Sequence, residues 1–301
     1  MGSSSRLYRP QDRGHAALAG SDNQRYAAVR RAGVLSCATQ EDVAAALRWC
    51  ARHAVPFAPR SGGHNYAGFS TTSGLVISVR PIRQVEARGR RLHLGGGATN
   101  SDMHAARDAG LYFPGGRCAG VGVAGLTLGG GLGFNDRKWG LTCDHPAETQ
   151  VVLSDGTVVR ASGRENTDLF WACRGGAGGN FGINTAFVFD AVPVDRLRAT
   201  VFDLSFDLPA GVRVMDEVRE ILDAHRADDF DLRIGFKNAG DGTASLALLA
   251  SGWAPRTRCA GSCDRCCAWA RPGRSLRNGA SGVRRTTSWR ARSRAATPPS
   301  P

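Results

Sequence analysis

From Arg31 onward the chain alternates short apolar runs with a few well-patterned helices, after 27 residues that are polar and aperiodic and read as an N-terminal arm. Val34-Leu35-Ser36-Cys37 predicts a strand. Thr39 with Asp42 three residues later makes a capping box, and Val43, Ala46, Leu47 and Cys50 recur at helical spacing. After Pro56 a second strand, Phe57 to Pro59, runs into Arg60-Ser61-Gly62-Gly63-His64-Asn65-Tyr66, which completes a strand, helix, strand unit ending in a glycine loop. Short strands at Gly74 to Val79 and Arg91 to Leu94 follow, then a helix from Asn100 to Ala109 with Asp102 in its first turn. Val151 to Leu153 and Thr157 to Val159 flank Ser154-Asp155-Gly156, the signature of a β-hairpin. Residues Asp168 to Phe189 return to glycine and then to alternating apolar positions that suit a strand, and Pro193 marks a domain edge.

Beyond that edge, Ala199 to Leu208 alternates as a strand, Val212 to His225 has an amphipathic helical period, and Leu232 to Phe236 and Ser245 to Leu249 are two more strands. The order strand, helix, strand, strand predicts an antiparallel sheet with a helix on one face. At about Ala254 the periodicity stops. Residues 255–301 are Arg, Ser, Ala, Pro and Cys with Leu276 and Val283 their only large aliphatic residues, too little apolar surface to offset the entropy of ordering. The expectation is a disordered tail, of the kind a GC-rich gene yields when read out of frame, with a frameshift near residues 253–258. The fold class expected is therefore α+β, divided into an arm (1–27), a first domain of two α/β subdomains (28–195), a partial antiparallel-sheet domain (196–254) and the tail (255–301).

Charge changes the picture of partners. The 301 residues carry 39 Lys plus Arg against 26 Asp plus Glu, a formal charge of +13 that first suggests a nucleic-acid partner. Residues 255–301 alone hold 11 arginines and one acid, Asp264, whereas residues 1–254 hold 28 basic and 25 acidic groups. The body is thus near neutral, and only Trp269 and Trp289 in the tail could stack on bases, so no nucleic-acid partner is expected. No apolar run approaches the ~18 residues of a membrane span, and Met1-Gly2-Ser3-Ser4-Ser5-Arg6 leads into no signal sequence, so the expected location is the cytoplasm without a membrane association.

The nine cysteines divide into five scattered ones, Cys37, Cys50, Cys118, Cys143 and Cys173, and four in the tail, Cys259, Cys263, Cys266 and Cys267. An odd, widely spaced set does not form a disulfide framework. The adjacent pair Cys266-Cys267 does not suit two chelating turns, and the remaining histidines have no ligand spacing, so no metal site is expected.

Two glycine-rich segments carry the candidate chemistry. In Arg60 to Gly68 the pair Gly62-Gly63 after a strand lets backbone N–H groups turn inward as an anion-binding nest, with Arg60 as a counter-charge. The second segment, Gly115 to Gly133, contains a G-x-G-x-x-G spacing at Gly120, Gly122 and Gly125 that invites a dinucleotide-binding reading. That reading fails on context, since it needs a following helix and Gly129, Gly130, Gly131 and Gly133 oppose one. Glycine at this density suits a bare backbone surface for a large flat cofactor. Taken singly, His64 reads as a loop histidine and Cys118 as a small buried hydrophobe.

Together with Trp139-Gly140-Leu141-Thr142-Cys143-Asp144, the Ser154-Asp155-Gly156 turn, and Asp168-Leu169-Phe170-Trp171-Ala172-Cys173-Arg174-Gly175-Gly176 to Gly179-Asn180-Phe181-Gly182-Ile183, these segments resemble the berberine bridge enzyme-like oxidases. These are FAD-linked flavoproteins with a PCMH-type FAD-binding domain, and the five motifs occur here in the family's order. The resemblance implies an oxidoreductase with bicovalent FAD, His64 bonded to the methyl carbon on the flavin's benzene ring and Cys118 to the adjacent ring carbon. It also implies non-covalent cofactor contacts from Arg60, Ser61, Gly62, Gly63, Asn65, Gly122, Gly125, Gly182 and Ile183. Tyr66 is as readily a substrate-facing aromatic as a loop-packing tyrosine, and Asp144 reads as structural.

The activity so implied is hydride transfer from a substrate C–H to flavin N5 with O2 as acceptor, giving H2O2. A sugar, oligosaccharide or natural-product alcohol is the expected substrate, in a setting of bacterial secondary metabolism. The family's catalytic base, a Tyr or Glu, comes from a later segment with no counterpart in residues 1–254, so no base is assigned. The contrasting expectation is an inactive, truncated flavin-binding fragment.

Overall fold

The computed structural model describes residues 5–176, 178–224, 230–238 and 242–255. The tail expected to be out of frame, with its four cysteines, lies outside the described residues apart from its first position. The described chain forms two compact units, one from the residues up to Gly133 together with Leu141–Pro193, the other from Phe134–Gly140 together with the chain from Val194 on. The fold is mixed α+β.

In the first unit, β1 (Arg6–Tyr8), β2 (Gly33–Ser36), β3 (Phe57–Arg60) and β4 (Leu75–Ser78) make a sheet in the order β1-β2-β4-β3, parallel except for β1. Helix α1 (His15–Ala19) lies in the chain between β1 and β2, and α2 (Gln40–Arg52) between β2 and β3. Helix α2 starts where the sequence said it would: the Thr39 hydroxyl accepts from the Asp42 N–H, and the Asp42 carboxylate accepts from the Thr39 N–H at 2.8 Å. Its apolar stripe of Val43, Ala44, Ala46, Leu47 and Cys50 is buried with Ile77, Val152 and Ile183 in one core.

A second, antiparallel sheet has the order β5-β6-β10-β8-β9, from β5 (Val85–Arg88), β6 (Arg91–Gly95), β8 (Pro146–Val152), β9 (Val158–Ser162) and β10 (Ile183–Asp190). The Asp-Gly turn joins β8 to β9, with Gly156 at φ 84. Between β6 and β8 the chain holds α3 (His104–Asp108), β7 (Leu111–Tyr112), α4 (Val123–Leu128) and α5 (Asp136–Trp139), and α6 (Thr167–Ala172) precedes β10. The strand β11 (Val192–Pro193) closes the unit by pairing with β7. Leu92, Leu94, Phe113, Val123, Leu128, Phe187 and Phe189 form this sheet's core.

Three expectations are corrected. The N-terminal segment is no free arm, because β1 pairs with β2 from Arg6↔Ser36 to Tyr8↔Val34 and Ala19 is buried. Asn100 to Ala109 is not one helix but a 3₁₀ turn, Asn100–Asp102, followed by α3. A helix does follow Gly122, since six residues suffice for α4 before Gly129 ends it, although no β-α-β unit surrounds it.

The second unit is an antiparallel sheet in the order β12-β14-β13, from β12 (Leu197–Asp207), β13 (Phe230–Asn238) and β14 (Ala244–Pro255). Helix α7 (Leu208–Ala224) packs on it, burying Val214 and Val218 with Phe206, Leu246 and Leu248. The segment Phe134–Gly140 joins this unit through Asn135, whose Oδ1 accepts from the Ser251 hydroxyl at 2.9 Å and the Trp253 indole at 2.7 Å. The rings of Trp139 and Trp253 meet edge to face at 4.8 Å. Burial pushes the Asp231 carboxyl up, partly offset by Arg233 and by the N–H groups of Asp136 and Arg137 that it accepts.

Candidate functional site

The two glycine loops meet main chain to main chain. A Cβ on Gly62 would collide with the Gly120 carbonyl oxygen and the Gly122 nitrogen, and one on Gly122 would collide with the Gly62 nitrogen and the Ser61 Oγ. Only residues without side chains can approach this closely. Gly122 is buried against the first loop, whereas at Gly125, one turn further into α4, a Cβ would meet nothing within 4 Å.

His64 lies over this junction. A Cβ on Gly120 would be 2.9 Å from its Nε2, while its Nδ1 is 3.4 Å from Asp22 Oδ2. Cys118, two residues before Gly120, is exposed, whereas Cys37, Cys50, Cys143 and Cys173 are buried. The structure therefore removes the reading of Cys118 as a buried hydrophobe; it stands two residues before the glycine that His64 covers.

The segment holding Cys118 is bolted down from one side. The Asn100 N–H donates to Val121 O, the Ser101 N–H to Ala119 O, and the Asn100 side-chain amide to Cys118 O at 2.9 Å. The turn that supplies these donors is itself fixed, because Asp102 accepts from the Thr99 N–H and hydroxyl and from Arg80. Burial tends to raise the Asp102 carboxyl pKa, but those hydrogen bonds and the Arg80 charge outweigh it and hold it below the ordinary range. Nothing in the sequence singled out Asn100 or Arg80, since neither lies in a glycine motif.

Arg60 commits two of its three guanidinium nitrogens to the main chain, while its Nη2 is buried without a hydrogen-bond partner. Its side chain is buried, with Nε donating to Ser70 O and Nη1 to Leu18 O, Ala19 O and Gly20 O at 2.9–3.0 Å. Burial, helped by nearby Arg31, pushes its pKa down to about 10. These bonds clamp the N-terminal segment onto the start of the glycine loop. Asn65 is similarly committed through its Oδ1, which accepts from Ala67 N and Phe69 N and shapes the loop. The Ser61 Oγ, like the Arg60 Nη2, is buried without a hydrogen-bond partner.

The other expected residues fall in three places. Gly63, at φ 76, follows Gly62 and accepts the Asp22 N–H at its carbonyl. Tyr66 is 80% exposed. Gly182, at φ 145, is pressed against Val152, and the Ile183 side chain is buried in the α2 core. Asp144 accepts from Leu141 N in a 3₁₀ turn.

Comparison with known proteins decides what such a junction belongs to, for residues 32–162 match the FAD binding domain family. Residues 32–162 are an FAD-binding domain. The relatives match over longer stretches than this domain. An uncharacterized FAD-linked oxidoreductase of Bacillus subtilis is 35% identical over 181 residues, 58% of this chain and 40% of its own. Berberine bridge enzyme-like 5 of Arabidopsis thaliana is 36% identical over 161 residues, 50% of this chain and 30% of its own. Among solved structures, 6-hydroxy-D-nicotine oxidase from Arthrobacter nicotinovorans superposes with a TM-score of 0.77 at 27% identity, covering 84% of this chain and 56% of that one.

The resemblance read from the motifs is borne out at this level: the chain carries an FAD-binding domain and is similar to FAD-linked and berberine bridge enzyme-like oxidoreductases. The chain spans 40% of the Bacillus relative's length. Asp22, which reaches His64, lies outside the residues matched to the FAD-binding domain family. Among the described residues no helix is long and apolar enough to cross a membrane.

Proposed function

We propose that this chain is the flavin-carrying part of an FAD-dependent oxidase, with the cofactor tethered at both His64 and Cys118. The observation that carries the proposal is the packing of His64 over Gly120, two residues from the exposed Cys118. Bound FAD supplies a hydride acceptor for a substrate C–H beside a hydroxyl or amine and passes the electrons to O2, giving H2O2.

The residues present fit that cofactor. A buried Ser61 hydroxyl without a protein partner is costly unless a ligand satisfies it, and the Gly62-Gly63 N–H groups are the anion-binding partners suited to a pyrophosphate. Gly125 leaves room for a flat group over the backbone. Two fixed attachment points restrain the ring from opposite loops and lower the entropy cost of holding it oriented. The exposed Tyr66 ring is the candidate substrate contact, and a small-molecule sugar, oligosaccharide or natural-product alcohol is the candidate substrate.

The test is direct. The full chain is purified, precipitated with acid and run on a denaturing gel, and peroxide release is followed over a panel of sugars, alcohols and amines. Yellow, fluorescent protein that survives denaturation, with peroxide formed from at least one compound, supports the reading. Colourless precipitate over a yellow supernatant removes the tethers, and coloured protein inert to the whole panel removes the oxidase.

A further inference from the structure

We propose that Asp22 is a positioning residue for His64, orienting the imidazole and accepting its proton as the flavin is attached. The inference rests on the tether reading above.

Asp22 is held in place from several sides. Its N–H donates to Gly63 O, the carbonyl next to His64, at 3.3 Å. The residues before it are fixed by Arg60, whose Nη1 takes the carbonyls of Leu18, Ala19 and Gly20. Arg31, also buried, donates from Nη2 to the Ser21 hydroxyl at 2.9 Å. Asn23, the next residue, donates from its side chain to Tyr66 O at 2.9 Å, so the segment spans the loop on both sides of His64. Two buried guanidinium groups thus immobilise a stretch of backbone whose projecting acid ends 3.4 Å from His64 Nδ1. Side-chain exposures of 24% for His64 and 48% for Asp22 leave the pair reachable by a cofactor while still partly withdrawn from water.

A carboxylate beside one ring nitrogen selects the imidazole tautomer with its proton there and orients the ring. Attachment joins an imidazole nitrogen to the carbon of a flavin methyl group. One methyl C–H bond and the imidazole N–H bond break, two electrons pass to the flavin ring, and O2 takes them with the two protons, leaving as H2O2. Asp22 is the only carboxylate in the described residues within ion-pair distance of His64 and so is placed to take the imidazole's proton.

The experiment uses the two single-tether backgrounds, Cys118→Ala, in which only His64 can hold flavin, and His64→Ala, in which only Cys118 can. Each is prepared flavin-free with and without Asp22→Asn, FAD is added, and the covalent fraction is followed by acid precipitation and peptide mass spectrometry. Asp22→Asn keeps the main-chain bond to Gly63, so a purely structural role would leave both rates alone or slow both. The proposal expects attachment at His64 to slow about tenfold or more, the scale of a lost general base, while attachment at Cys118 keeps its rate. Equal rates at His64, or slowing at both sites, overturns it.

A second readout needs no flavin. In isotope-labelled flavin-free protein, imidazole nitrogen NMR is expected to show the Nδ1–H form dominant and shifted toward Nε2–H by Asp22→Asn. An unchanged tautomer ratio contradicts the role of Asp22, whereas absence of covalent flavin in both backgrounds with the tautomer shift present contradicts the tethers alone.

Discussion

Gly62 and Gly122 touch through their main chains, each occupying the space a side chain on the other would need. This contact joins the loop that carries His64 to the segment that carries Cys118. Gly62→Ala or Gly122→Ala forces the loops apart and is expected to cost about 1–3 kcal/mol, the scale of an overpacked core. Flavin content should fall with it. Thermal unfolding of the flavin-free variants and their absorbance after reconstitution check both effects.

Arg60 holds four carbonyls through its Nε and Nη1. Arg60→Leu leaves those carbonyls without their donor and is expected to destabilise the flavin-free protein by about 3 kcal/mol. An arginine acting mainly on the cofactor would instead weaken flavin affinity and leave the unfolding of the flavin-free protein nearly unchanged, so denaturant titration of that form separates the two roles.

Much of this arrangement is legible in the sequence, and its limits are physical. The Thr39–Asp42 box, the stripe Val43, Ala46, Leu47 and Cys50, and the Asp155-Gly156 turn are local patterns, each of which dictates its element. The N-terminal segment escaped because Arg60 holds it through the carbonyls of Leu18, Ala19 and Gly20, and carbonyls leave no side-chain pattern. The union of Phe134–Gly140 with the second unit rests on Asn135 meeting Ser251 and Trp253, a long-range contact without a sequence period. At the site, the glycines pointed to close approach, but not to Asn100, Asp102 and Asp22 as what fixes it.

Asp102 supplies a pH dependence. Its pKa is held below the ordinary carboxyl value, so it contributes stability that is present above that value and lost as pH falls through the lowered one. Asp102→Asn is expected to destabilise by about 1–2 kcal/mol at neutral pH. The gap between parent and variant should close as pH drops below about 4, which urea unfolding at a series of pH values measures.

Cysteine reactivity tests the exposure that distinguishes Cys118. In flavin-free protein, brief alkylation followed by peptide mapping is expected to modify Cys118 ahead of Cys37, Cys50, Cys143 and Cys173. Cys37 should be the slowest, since burial, with the charge of Asp42 beside it, pushes its thiol up to about 12. Labelling of the buried four at the rate of Cys118 would contradict the fold around them.

The central claim, that His64 and Cys118 both hold the flavin, is measured most directly by mass spectrometry of denatured parent, His64→Ala, Cys118→Ala and the double variant. The account predicts flavin on both residues in the parent, retention by either single variant through the remaining residue, and loss only in the double variant. Flavin bonded to some third residue, or released from the parent on denaturation, would contradict it.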